Sequence, residues 1–222
     1  YSIAVFTSQA TDRCFDTGIN KAIRHFVKRR IAQLNSLGES ASSRLRVDFY
    51  NDYGDPGLAV ANIKKAIDDP TTLAMIGLSG SNRAKAVFDK LGPEIEKRNI
   101  PFITDMSVTG LFEAYPNVFT MRPSQENERL PVIARFIKDG KYARPAFVGI
   151  ADNVASAELA KLLSENPDAA PTVASHELPV KDGKIDDMNL KAAIAGLKDK
   201  DADLVLVMLG SAPMEQFLAE AK

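Results

Sequence analysis

The sequence has a single cysteine, Cys14, so it can form no internal disulfide and no cysteine-built metal site. No apolar run approaches the ~20 residues that a membrane-spanning helix requires, which excludes direct membrane insertion. An excess of one charge is missing too: 28 Lys and Arg stand against 29 Asp and Glu, for a net charge of −1. A surface that grips a polyanion carries a basic excess, and Lys28-Arg29-Arg30 is too short to supply one, so nucleic acid is excluded as a partner. Tyr1-Ser2-Ile3-Ala4-Val5-Phe6 leads straight into a strand-like segment rather than a signal peptide, and reads as a processed or cut start.

Catalytic signatures are scarce as well. There is no Gly-x-Ser-x-Gly elbow, no His-Glu-x-x-His helix and no Cys-x-x-Cys pair. Of the two histidines, His25 falls on the polar face of the first helix and His176 within a strand, positions that suit solvated or structural roles. Asp52 and Asp55, in Asn51-Asp52-Tyr53-Gly54-Asp55-Pro56, read either as a metal loop or as turn and capping chemistry, and a strand end before a proline-started helix favours capping. Cys14 reads as a small apolar group or as part of a cleft wall after the first strand. The expectation is a protein with no catalytic residues, no metal and no cofactor.

What is present is an α/β pattern. The chain has 222 residues, 45% hydrophobic and 26% charged, enough for one large domain or two small ones with a packed core. Short apolar or β-branched runs at 3–6, 45–50, 73–76, 102–104, 146–150, 172–178 and 204–208 read as strands. Helical patterns separate them at 15–34, 58–67, 81–98, 125–138, 154–163, 190–198 and 214–221. This alternation predicts mostly parallel sheets with helices on both faces and right-handed crossovers. In the first helix, Ile19, Ile23, Phe26, Val27, Ile31 and Leu34 fall within an arc of about 140°, which predicts one buried stripe. Pro56 suits a first helical turn, and Ser81 is an expected N-cap. Tyr115-Pro116-Asn117-Val118-Phe119-Thr120-Met121-Arg122-Pro123 breaks the rhythm, and an inter-lobe crossing is placed there, giving lobes at 1–120 and 121–222.

In open parallel sheets ligands bind beyond the carboxyl ends of the strands. One such end is Ala74-Met75-Ile76-Gly77-Leu78-Ser79-Gly80-Ser81-Asn82-Arg83, a strand breaking into a small-residue loop that opens a helix. Its backbone N–H groups and helix dipole suit an anion such as a carboxylate, with hydroxyls from Ser79 and Ser81. The spacing fits neither a phosphate loop nor a dinucleotide fingerprint. A plain tight turn with a helix cap explains the same residues. Thr104-Asp105-Met106-Ser107-Val108-Thr109-Gly110 follows the next strand, and adjacent parallel strands would set the two loops side by side as a pocket wall. Capping of a short helix by Ser107 and Thr109 is the alternative there.

These segments, in order, resemble the type I periplasmic binding proteins, the family of the leucine/isoleucine/valine-binding protein of ABC importers. The similar parts are the first strand and long helix, Asp48-Phe49-Tyr50-Asn51-Asp52-Tyr53-Gly54-Asp55-Pro56 with Ala59-Val60-Ala61, and Ile76-Gly77 before its serine loop. They continue with Ile100-Pro101-Phe102-Ile103-Thr104, with Pro116-Asn117-Val118-Phe119-Thr120-Met121-Arg122-Pro123, and with Ala146-Phe147-Val148-Gly149 entering Asp152-Asn153. The resemblance implies two Rossmann-like lobes joined by three crossings and closing on a ligand. It implies that Ser79, Gly80, Ser81, Met106, Ser107 and Thr109 hold an amino-acid head group, and that loops at Asn153 and Ser211 add contacts from the second lobe. It also implies a periplasmic or extracellular location and a membrane permease as partner. A ligand-sensing ectodomain of a signalling receptor is the alternative on the same fold. Cys14-Phe15 stands where relatives often place an aromatic in the loop after the first strand. Asn153-Val154 and Ser211 stand where they often present tyrosines, so the expected ligand is no narrower than an amino acid or organic acid. The family's chains run longer, so return crossings and part of each sheet are expected beyond residue 222.

Overall fold

The computed structural model describes residues 1–8, 17–37, 44–105, 111, 114–166, 170–181 and 183–221, and places them in two compact units, one running to Arg122 and the other from Pro123. In the first unit, β1 (Ser2–Thr7), β2 (Arg46–Asn51), β3 (Thr72–Ser79), β4 (Phe102–Asp105) and β5 (Val118–Thr120) form one parallel sheet in the order β2-β1-β3-β4-β5. Side chains of a strand alternate between faces, and one face carries the buried apolar side chains Ala4, Phe6, Met75 and Phe102. That face packs on Ile63 and Ala66 of α2 (Pro56–Asp68) and on Val87, Phe88, Leu91 and Ile95 of α3 (Ser81–Arg98).

The helix boundaries follow their end residues. Asp55 is the N-cap of α2, its carboxylate accepting from Leu58 N at 2.7 Å, with Pro56 in the first turn where no N–H is needed. Asn99 ends α3 in the left-handed region at φ 49°. Ser81 does not cap α3: Gly80 occupies that position at φ 97°, which a glycine adopts at no steric cost, and Ser81 is the first helical residue. Buried Asn117 donates to the carbonyls of Ile95 and Ile100 at 3.1 and 2.9 Å, joining the end of α3 to the start of β4 and β5.

α1 (Thr17–Leu37) corrects the stripe read from periodicity. Ile31 is buried and Val27 half-buried, but Phe26 is 66% exposed and Leu34 is exposed, while the side chains of Ile19 and Ile23 lie outside the described residues. The helix is turned so that the charged heads of Arg24 and Lys28, rather than Phe26, lie over the Phe49 ring, 4.7 and 5.6 Å from its centroid. Asn35, one to two turns on, exchanges two hydrogen bonds with the Leu45 backbone at 2.9 and 2.8 Å, fixing that rotation. Every charged residue of α1 is basic: Lys21, Arg24, Lys28, Arg29 and Arg30.

Asp69, just past α2, accepts from the Thr71 hydroxyl and backbone N–H at 2.7 and 2.8 Å. These bonds, with Arg46 alongside, hold its carboxyl below the ordinary value of 3.8. A carboxyl lowered in the folded state stabilises above its unfolded pKa, and that contribution is lost as pH falls through the folded value. Asp69→Asn should therefore flatten the part of the acid unfolding curve below pH 3.8, measured by circular dichroism; a superimposable curve would show the bonds to be absent in solution.

The second unit begins with a π-helical turn, Gln125–Arg129, continuing as α4 (Leu130–Asp139). Pro131 brings no N–H to the ladder, and the bonds before it run five residues back, Leu130 N to Gln125 O and Arg129 N to Ser124 O. β6 (Pro145–Ile150), β7 (Ala174–Leu178) and β10 (Leu204–Val207) form a parallel sheet in the order β10-β6-β7. Ala146 and Val148 face Leu190, Ala193, Ile194 and Leu197 of α6 (Asp187–Asp199) and Phe217 of α7 (Ser211–Glu220). Phe147 faces the other way, onto Leu130 and onto Leu159 and Leu163 of α5 (Val154–Glu165). β8 (Val180–Lys181) and β9 (Lys184–Ile185) form a small antiparallel hairpin, tied to α7 by two hydrogen bonds between Gln216 and the Ile185 backbone.

Candidate functional site

The carboxyl ends of β1, β2 and β3 converge on one side chain that the sequence reading passed over, Arg83. It leaves the first turn of α3 and folds back under the loop before it, where it is 7% exposed. Its Nη2 donates to the Ser79 carbonyl oxygen. Its Nε stands 3.3 Å from Oδ2 of Asp52, which is 4% exposed and whose Oδ1 accepts from Gly54 N at 2.8 Å. A Cβ added at Gly54 would lie 3.8 Å from Arg83 Nη1 and 3.9 Å from the Ser8 hydroxyl, which puts the ends of β1 and β2 beside the same guanidinium. Burial lowers the proton affinity of Arg83, and Asp52 partly restores it. Removing one member of such a buried pair costs about 3–5 kcal/mol, because the other charge is left uncompensated.

The backbone that Arg83 grips is strained. Gly77, Leu78 and Gly80 have φ of 115°, 65° and 97°, and the β3–β4 register slips between Gly77 and Ser79. Leucine in the left-handed region costs about 1–3 kcal/mol and persists only where its surroundings over-determine it. Leu78 is buried in the core, which supplies one constraint, and Arg83 on the Ser79 carbonyl supplies another. The result is a turn that presents Ser79, Gly80 and Ser81, all half-buried, at the N-terminal end of an 18-residue helix. The N–H groups of that first turn and the helix dipole favour an anion there.

β4 runs parallel to β3 with Ser79 opposite Asp105, so the loop after β4 starts beside the serine turn. Asp105 receives two hydrogen bonds from the Arg122 guanidinium, one from Nε and one from Nη2 at 3.0 Å, joining that loop to the chain leaving β5. Met106, Ser107 and Thr109, and Phe15 after β1, lie outside the described residues.

In the second unit, Asn153 is the N-cap of α5, its side-chain oxygen accepting from Ser156 N at 3.0 Å. Gly210 and Ser211 open α7 directly after β10. Because β10 pairs parallel with β6, the loops carrying Asn153 and Ser211 lie at neighbouring strand ends of one sheet. Asp52 and Asp55 are used in the ion pair and in the helix cap. Among the described residues no group of three or more His, Cys, Asp or Glu could hold a metal ion, and no helix is long and apolar enough to cross a membrane.

Arg83 left one readable sign. The first turn of a helix favours acidic side chains, so an arginine there needs a local counter-charge, but the sequence does not say which carboxylate supplies it.

Residues 17–222 match the family described as periplasmic binding protein. A sequence search finds no significantly similar curated protein. Among solved structures, an ABC-transporter solute-binding protein from Rhodopseudomonas palustris BisB5 in complex with 3,4-dihydroxybenzoic acid is 14% identical, covers 99% of this chain and 57% of its own, with a TM-score of 0.73. One from R. palustris in complex with 4-hydroxybenzoate is 13% identical, over 99% and 56%, with a TM-score of 0.71. The branched-chain amino acid binding protein LivJ from Streptococcus pneumoniae, in complex with isoleucine, is 15% identical, over 93% and 56%, with a TM-score of 0.69. At these identities the likeness is one of fold, and the chain spans a little over half the length of each of these structures.

Proposed function

We propose, from the premise that this chain belongs to the periplasmic binding protein family, that it serves outside the cytoplasm as a solute receptor for a small carboxylate-bearing ligand, an amino acid or an organic acid. The observation that carries this reading is the turn at Ser79, Gly80 and Ser81, held in positive-φ backbone at the start of α3 and beside the loop after β4. Such a turn favours one negative head group through N–H donors and the helix dipole, without a catalytic group. Met106, Ser107 and Thr109 would complete the head-group contacts, and Phe15 would stand beside them. Lobe closure would then add the loops at Asn153 and Ser211, and the closed form would be read by the permease of an ABC importer. Closure of this kind is a population shift, which requires that the ligand touch both lobes.

Calorimetry on the full protein with L-isoleucine, L-leucine, 4-hydroxybenzoate and 3,4-dihydroxybenzoate tests the reading. At least one of these acids should bind, and Ser81→Ala with Thr109→Ala should weaken it by about tenfold or more, the scale of losing charge-assisted hydrogen bonds. An unchanged affinity in the double variant would place the site elsewhere.

A further inference from the structure

The serine turn explains where an anion could dock, but it does not explain why a charged arginine is buried beneath it. Arg83 sits at the positive end of a helix dipole, the end that disfavours a cation, and it is almost wholly removed from water. Asp52, the residue after β2, neutralises it at 3.3 Å. What the pair holds between them is the strained segment: Nη2 takes the Ser79 carbonyl, and a Cβ at Gly80 would lie 2.8 Å from Cζ. The guanidinium therefore occupies the space beside Gly80 where the Cβ of any other residue would stand.

We propose that Arg83, anchored by Asp52, is the positioning residue that sets the receiving shape of the turn at Ser79, Gly80 and Ser81. This rests on the ligand-binding reading for its functional consequence, but its structural content stands alone. A planar fork can hold a carboxylate on one nitrogen and a carbonyl on another in fixed geometry, whereas the single ammonium of lysine cannot span both in the same plane. The charge of Arg83 is met by Asp52, so the anion is drawn by the helix N-terminus and its amides, and Arg83 decides where those amides point. Gly80 is required twice over, for its φ of 97° and for the room it leaves the guanidinium.

Two variants and two readouts separate this role from its rivals. Arg83→Lys keeps the charge and most of the volume, so Asp52 still faces a cation; Asp52→Asn keeps the shape and removes the anchor. Without ligand, backbone amide exchange at residues 79–82 should rise in both variants by about tenfold or more beyond any change at Ile63 and Val87, whose buried amides report the overall loss of stability. With ligand, the preference for an acid over its amide, 4-hydroxybenzoate over 4-hydroxybenzamide and L-isoleucine over L-isoleucinamide, should fall about tenfold in both, a readout that general loss of stability does not move. If Asp52→Asn instead tightens acid binding, the uncovered charge of Arg83 is acting directly and the positioning role is wrong. Unchanged exchange at residues 79–82 overturns it as well. Faster exchange in variants of a protein that binds none of the four probes supports the brace and overturns the carboxylate reading instead.

Discussion

Gly77→Ala should destabilise the unit ending at Arg122 by about 4 kcal/mol or more, at the upper end of what a single methyl can do. Gly77 holds φ 115°, a region that L side chains avoid. Its added Cβ would be driven into the carbonyl oxygen of Phe6 and would stand 3.1 and 3.3 Å from the Phe6 carbonyl carbon and nitrogen. All three obstacles are backbone of β1, which is fixed between β2 and β3 by parallel pairing on both sides, so the neighbour cannot give way. Denaturant unfolding followed by circular dichroism measures the effect. An alanine variant with the parent midpoint would mean that β1 and β3 do not meet in the register Phe6 to Gly77.

Phe102→Ala should cost about 3–5 kcal/mol. The ring is 0% exposed, stacked on Phe88 at 6.2 Å between centroids and tilted against Phe6 at 6.1 Å. It thus joins two strands to α3 at the centre of the core, and the surrounding cluster has little freedom to collapse into the space left behind. Phe102→Leu, which keeps most of the apolar volume, should cost markedly less. The two variants compared by equilibrium unfolding test the packing, and an alanine variant within about 1 kcal/mol of the parent would contradict it.

Much of the fold was readable because its signals are local. Val47 and Phe49 in β2, Phe147 and Val148 in β6, and the Asp55-Pro56 start of α2 state their conformations through branching, alternation and capping. The β8–β9 hairpin was missed although Asp-Gly at 182–183 is a strong hairpin pair, because the flanking strands are only two residues each. The stripe on α1 departs from its periodicity at Phe26 and Leu34 for a different reason: periodicity counts apolar residues, and here the cations of Arg24 and Lys28 face the Phe49 ring. At the site, small residues after β3 announced a turn, and parallel pairing brings the start of the next loop beside it. Ser81 looked like a cap because serine usually is one, but the φ at the boundary required Gly80. The Arg83–Asp52 pair stayed hidden because its partners lie in different β-α units, and only the sheet brings them together.

The one-sided charge of α1 means that the near-zero total misdescribes the molecule. A 21-residue helix carrying five cations and no anion leaves the rest of the chain distinctly acidic, although the whole has a net charge of −1. The helix is therefore a local stretch of one sign, whose attraction for anions reaches about 8 Å at physiological ionic strength and further on dilution.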